Sequence, residues 1–276
     1  MNPTSARRIA RVRPLSPGSG REHFFVANDA PDFDSDTGRV WTVIKSPFPD
    51  SPANAGSVSR RGWETGDTVD QDSFSFLAPS VPANVLGMAH NTGQAGRDLP
   101  PQAFHKAATS VVGPGDAIEL GPGVGRVDPE AELTIVVGRQ VRGLTLDNAG
   151  TAVLGFTIGN DVSARDLQES DELWISAKSQ DTFTPAGPWI VTDLDGADLA
   201  IRIKHNGAEL RAASTADLGW AADEILVYIT SFMTLHPGDL VLTGFPAECA
   251  RLTAGDTVTC QIQGIGELTN PVVAVA

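Results

Sequence analysis

Between Asp128 and Gly138 the chain alternates. Ala131, Leu133, Ile135 and Val137 occupy one parity, and Glu130, Glu132 and Thr134 the other. A period of two marks a half-buried strand, so this stretch is expected to bury one face and to carry Glu130 and Glu132 together on the opposite one. A second apolar run, Gly155-Phe156-Thr157-Ile158-Gly159, reads as a buried strand that delivers Asn160 and Asp161 at its end. Between the two, Thr145 to Leu154 reads as a short helix with Thr145 as N-cap, and Ser163-Ala164-Arg165-Asp166 has the form of a capping box that starts a helical turn.

The rest of the chain is mostly short β-prone runs. Residues 6–13, 23–27 and 39–45 suggest a small antiparallel meander, and residues 46–73, rich in Pro, Ser, Gly and Asp, read as a loop or linker. The text changes near Phe76, which places a small N-terminal β domain with its linker over 1–75 and a larger domain over 76–276. In the larger part, residues 81–88, 110–120, 185–192, 199–210 and 240–245 read as strands or turn–strand units, with Asn206-Gly207 as a hairpin turn. Ile225, Leu226, Ile229 and Phe232 have helical spacing within 221–232, and two more strands surround Gly264-Ile265-Gly266. Gly121-Pro122-Gly123-Val124-Gly125 precedes a strand and not a helix, so it reads as a turn and not a phosphate loop. The expected class is mainly β with a few helices (α+β).

With 276 residues the chain can bury a sizeable core, and its formal net charge of −14 argues against a nucleic-acid or anionic-membrane partner. A small anionic substrate then requires a metal or local Arg and Lys to reverse the sign inside a pocket. Cys249 and Cys260 lie eleven apart, match no metal-ligand spacing, and read as reduced thiols of a cytoplasmic protein. The Arg-containing N-terminus lacks the apolar core of a secretory signal, and no apolar run is long enough to span a bilayer.

Two carboxylates on one strand face repel each other unless a cation sits between them or one is protonated. Glu130 and Glu132 therefore suggest a divalent metal or an acid/base dyad, the bland alternative being a solvated strand face.

Five blocks in order resemble the fumarylacetoacetate hydrolase family. They are Glu130-Ala131-Glu132-Leu133, the run from Gly159 to Gln168, Ala177-Lys178-Ser179, Gly187-Pro188-Trp189 and the run from Pro237 to Gly244, and the closing run from Gly264 to Pro271 fits as well. The likeness covers roughly residues 76–276. It implies a fold of mixed, rolled β-sheets with a small N-terminal β domain, assembled as a homodimer. It also implies Mg²⁺ or Mn²⁺ held by Glu130, Glu132 and Asp161. Lys178 matches the lysine near the substrate, and Arg165 and Gln168 match positions that line or brace the pocket. The implied substrate is a 2-oxo acid or 1,3-dioxo compound, with the metal stabilising a developing enolate.

The chain also departs from the family. Hydrolytic members carry G-x-N-Y-x-x-H with an acidic residue shortly after. Here Gly87-Met88-Ala89-His90-Asn91-Thr92-Gly93-Gln94-Ala95-Gly96 puts Gly93 at the histidine position and Gly96 at the acidic one. His90 and, further on, His105 are the candidate replacement bases. At Thr243-Gly244-Phe245-Pro246 the usual second threonine of T-G-T-P is Phe245, which forecasts a less polar substrate contact, and Glu248 follows as a further candidate acid or base. The first reading is a metal-dependent C–C bond hydrolase of an acylpyruvate-like acid. A decarboxylase, isomerase or dehydratase on the same scaffold is the second, and a catalytically silent binding subunit the third.

Overall fold

A computed structural model describes residues 7–15, 22–30, 36–56, 63–246 and 249–276. It opens with β1 (Arg8–Pro14), β2 (Phe24–Asn28), β3 (Val40–Ile44), β4 (Thr68–Asp70) and β5 (Phe74–Phe76). There follow β6 (Val85–Ala89), α1 (Gly93–Asp98), β7 (Gln102–Lys106), β8 (Val111–Val112), β9 (Ile118–Leu120), β10 (Val127–Asp128), β11 (Ala131–Val137), β12 (Val153–Asn160) and β13 (Ser163–Ala164). Next come α2 (Arg165–Ser170), α3 (Ile175–Lys178), β14 (Thr184–Val191), β15 (Ala200–His205), β16 (Ala208–Glu209) and β17 (Ala213–Ser214). α4 (Ala222–Phe232), β18 (Leu240–Leu242), β19 (Thr257–Ile262) and β20 (Gly266–Ala274) complete the chain. Strands dominate, as the sequence indicates. Among the described residues no helix is long and apolar enough to cross a membrane.

One long mixed sheet runs β4-β3-β2-β1-β14-β12-β11-β18-β6-β7, with β5 on β1 and β8 on β14. A second sheet runs β16-β15-β19-β20-β9, and β10 pairs with β13. The N-terminal strands form the expected meander, and β1 also pairs with β14 through Arg8↔Val191 and Ile9↔Ile190, so they continue the sheet of the larger part. Trp41 seals this join. It is fully buried, with ring centroids 5.7 Å from Phe76 and 5.9 Å from Trp189 on β14.

Three local expectations are corrected. β11 is buried at all seven positions and is not a half-exposed strand. Leu133, Ile135 and Val137 pack into one apolar cluster with Ile201, Ile203 and Val258 of the second sheet, while Val136 joins Ile190, Leu240 and Leu242 on the other side. β12 and β18 flank it within the sheet, so a central strand covered on both faces replaces the half-wet one. Residues 145–154 are not a helix. The Asn148 side-chain oxygen accepts from the Thr145 backbone N–H, a local turn that competes with helix, and only a 3₁₀ turn at Ala149–Ala152 precedes β12. Nor does Ser163 cap a helix: it lies in β13, α2 starts without a side-chain cap, and the Asp166 carboxylate accepts from the Arg126 N–H.

Two other expectations are met. Asn206 and Gly207 take positive φ of 50° and 81° between β15 and β16, the conformation a type I′ hairpin turn requires. α4 buries Ile225, Leu226 and Ile229, while Phe232 in its last turn stays half exposed.

Because Trp41 joins the first strands to β14, Trp41→Ala is expected to lower the unfolding free energy by about 3–5 kcal/mol. A urea titration reads this as a lowered midpoint, and a midpoint equal to that of the unaltered chain overturns the role assigned to that ring.

Candidate functional site

The site forms where β11 and β12 end together. Ala131 pairs with Asn160 and Glu132 with Gly159, so Glu130 and Asp161 meet just beyond the ladder, where Asp161 N–H donates to the Glu130 carbonyl at 2.8 Å. The Asn160 side-chain oxygen accepts from Glu130 N–H at 3.0 Å, fixing the backbone that precedes β11. Gly159 is required by close approach: a Cβ there would stand 2.3 Å from Thr134 Oγ1. Carboxylate oxygens of Glu130, Glu132 and Asp161 consequently lie within 4.8 Å of one another.

Cations converge on these acids from other elements. Lys178, at the end of α3, places Nζ 2.9 Å from Glu130 Oε2, 2.5 Å from Asp161 Oδ2 and 2.6 Å from Ser163 Oγ. Lys106, the last residue of β7, is fully buried with Nζ 2.5 Å from the other oxygen of Asp161. Arg165 donates through Nη2 to Glu130 Oε1 at 2.9 Å, through Nε to Asp128 at 3.1 Å and through Nη1 to the Gln168 side-chain oxygen at 3.0 Å.

The balance of charge is uneven. Burial works to raise Glu130, but Lys178 and Arg165 outweigh it and hold the carboxyl at about 2. Glu132 is pushed well above the usual carboxylate range, first by burial and then by the facing Asp161 and Glu130, against which the Gly244 N–H at 2.6 Å is a weaker opponent. Burial would lower Lys178, yet Asp161 and Glu130 prevail and keep it protonated. For Lys106 burial prevails, and its pKa lies below the ordinary lysine value despite Asp161.

This donor set fits a hard divalent metal. Three carboxylates offer oxygen ligands suited to Mg²⁺, Mn²⁺ or Ca²⁺, and a dication among them would relieve the repulsion concentrated on Glu132. The nearest thiol does not compete: Cys249 sits 3.4 Å from Arg165 Nη2 and burial pushes it up to about 12, so it remains a protonated thiol.

A cavity of about 170 Å³ opens over the triad. Glu130, Glu132, Asp161, Lys178, Arg165 and Gln168 line it together with Met88, His90, Phe104 and Trp174. The residues singled out from sequence are thus mostly brought together. His90 is exposed at the rim, with its ring 5.4 Å from that of Trp174. Thr243 and Phe245 do not line this cavity. The Thr243 hydroxyl donates to the Leu133 carbonyl at 2.8 Å, Phe245 is buried in the core, and what this segment supplies is the Gly244 N–H on Glu132. His105 is exposed on β7 and not part of the lining, and Glu248 lies outside the described residues. Gly93 and Gly96, which stand at the family's histidine and acidic positions, belong to the short helix α1.

Sequence reasoning missed Lys106, Ser163, the Gly244 N–H, Phe104 and Trp174. The alternation of Phe104 and Lys106 across His105 was the one available signal, since it places both on one face of a strand.

Comparison with known proteins places this geometry. The C-terminal fumarylacetoacetate (FAA) hydrolase pattern matches residues 80–273. Protein Rv2993c of Mycobacterium tuberculosis is 39% identical over 249 residues, covering 87% of this chain and 92% of that protein. The mitochondrial oxaloacetate tautomerase fahd2 of Xenopus laevis is 37% identical over 224 residues, 74% of this chain and 70% of the relative. Among solved structures, 2-hydroxyhepta-2,4-diene-1,7-dioate isomerase from Mycobacterium marinum superposes with a TM-score of 0.82 at 37% identity, covering 97% of this chain and 98% of that one. With the pattern extending over most of its length and these relatives agreeing in sequence and fold, the chain belongs to the fumarylacetoacetate hydrolase family.

Proposed function

We propose that this chain is a divalent-metal-dependent enzyme that moves a proton between carbon and oxygen of a 2-oxo or 1,3-dioxo acid, a keto–enol isomerisation. The observation that carries this reading is a single cavity with three carboxylates and the Lys178 ammonium on its floor, and an imidazole only at its rim. Two relatives, one named a tautomerase and one an isomerase, point the same way.

Glu130, Glu132 and Asp161 would hold a Mg²⁺ or Mn²⁺, which would supply Lewis-acid stabilisation of developing negative charge. The chain's own groups do the rest. Lys178, kept protonated by Asp161 and Glu130, presents a second positive charge where the enolate develops, and its burial from solvent strengthens that charge. Arg165 braces Glu130 and Asp128 together and orients Gln168 beside the cavity. Lys106 does not line the cavity. It holds the rear oxygen of Asp161 and so fixes the direction in which that carboxylate presents its other oxygen.

C–C bond hydrolysis remains the second reading on one observation: His90 lines the same cavity and is the imidazole placed to activate water there. The two readings part on products. Isomerisation converts enol to keto acid with no loss of carbon, hydrolysis of an acylpyruvate yields two acids, and decarboxylation releases CO₂.

Three outcomes are expected. With Mg²⁺, the chain accelerates ketonisation of enol-oxaloacetate, followed by ultraviolet absorbance, and His90→Ala keeps kcat within about threefold; release of two acids from an acylpyruvate, lost in His90→Ala, would instead establish hydrolysis. Asp161→Ala weakens Mg²⁺ binding by at least about a hundredfold in titration calorimetry, and unchanged affinity shows that the metal lies elsewhere. Lys106→Met, which leaves the buried Asp161 carboxylate short of one partner, lowers unfolding stability by about 3–5 kcal/mol. That loss is read from a denaturant midpoint, and no shift there removes Lys106 as the support of Asp161.

A further inference from the structure

The outer wall of the cavity is built at some conformational expense. Trp174 has φ of 59° and His90 φ of 56°, a left-handed backbone that bulky L-residues rarely adopt, and their rings meet across the cavity at 5.4 Å. Asp171 holds the Trp174 turn in place. Its carboxylate accepts from the Leu173 N–H at 3.1 Å and from the Ser176 N–H and hydroxyl, both at 2.7 Å, and its carbonyl accepts from the Trp174 N–H at 3.0 Å. The turn leaves Leu173 82% and Ile175 53% exposed while Trp174 turns inward against Phe104, at 5.6 Å between ring centroids. Sequence neighbours are thus left in solvent while the indole is turned onto the site.

Charged and aromatic groups adjoin in this cavity: Lys178 Nζ lies 4.8 Å from the centroid of the Phe104 ring. The lining lysine and arginine, Lys178 and Arg165, both engage Glu130 at the triad end. Beyond Phe104 stands Trp174, whose ring lies 5.6 Å from that of Phe104 and 5.4 Å from that of the exposed His90. A substrate that sets its oxo-acid group against the triad and Lys178 therefore turns its far end along the Phe104 ring toward the Trp174 indole.

We propose that Trp174 and Phe104 form a specificity wall that selects an aryl or alkyl substituent, so that the substrate is a 2-oxo or 1,3-dioxo monoacid with an apolar tail and not a dicarboxylate. This rests on the metal-site reading above and deepens it. A dioate or oxaloacetate, for which two relatives are named, would bring a second carboxylate against this wall. Turnover of oxaloacetate is accordingly expected, but at low efficiency.

The test uses three probes with the Mg²⁺-loaded full chain. Oxalate, which has only the chelating head, reads the triad end; benzoylpyruvate and fumarylpyruvate share that head and differ in an aryl against a carboxylate tail. The unaltered chain is expected to show a kcat/KM at least about tenfold higher for benzoylpyruvate than for fumarylpyruvate, the scale of one aromatic contact with its buried area. Trp174→Ala should raise KM for benzoylpyruvate about tenfold and leave the oxalate inhibition constant unchanged, while Trp174→Phe recovers most of the loss. Unchanged oxalate binding also shows that the variants are folded. If oxalate competes normally but the two tailed substrates are used alike, or fumarylpyruvate is preferred, the wall is not selective and the proposal is overturned with the metal-site reading intact. If oxalate fails to bind the unaltered chain with Mg²⁺, both fall together.

Discussion

Burying several carboxylates at one strand end is the constraint on which this structure turns. Glu132 and Asp161 are almost fully buried and Glu130 nearly so, and such a group is tolerated only where positive charge and hydrogen bonds answer it. The answers come from far along the chain: Lys178 from α3, Arg165 from α2, Lys106 from β7 and a backbone N–H after β18. Each of these elements must dock correctly for the carboxylates to find their partners, so assembling the sheet and assembling the site are one process. Glu132 is the residue left under-compensated, and its discomfort marks the place where a further cation belongs.

The sheet explains the precision of this arrangement. β11 is held on both faces by apolar clusters and on both edges by β12 and β18, so Glu132 stands on one of the most confined strands of the molecule. Site residues on confined strands are positioned to finer tolerance than residues on loops. The opposite wall is made differently, from two turns that meet through His90 and Trp174, and it is there that relatives with the same floor are free to differ.

Much of the floor was legible in the sequence because it is local. Glu130 and Glu132 sit two apart on a strand, which the period carries, and Asp161 ends a second apolar run; that the two strands pair is not legible there, and the family resemblance joins the three acids. The Asn206-Gly207 hairpin and α4 were legible for the same reason. What was not legible depends on distant partners. Lys106 lies 55 residues before Asp161, and the face it shares with Phe104 does not by itself say which acid it meets. The double-sided burial of β11 comes from a second sheet made mostly of residues from 200 onward, whereas its polar positions suggested water. Ser163 looked like a helix cap because serine favours that role, but its hydroxyl instead joins Glu130 and Lys178. The absence of the usual threonine at Phe245 suggested a change in the pocket, while the wall that actually faces the carboxylates comes from Trp174 and Phe104.

β7 is an outermost strand of the long sheet. Such a strand offers an unpaired backbone edge to any passing chain, and sliding it by one residue costs little unless something forbids it. Here Phe104 and Lys106 share its inner face; a one-residue slip would swing Lys106 into solvent, bring His105 inward and strand Asp161 without its rear partner. The buried ammonium therefore acts as a register pin. The same charge that steadies a metal ligand makes the sheet's exposed border intolerant of misalignment, so an error in folding at this edge is also an error at the site.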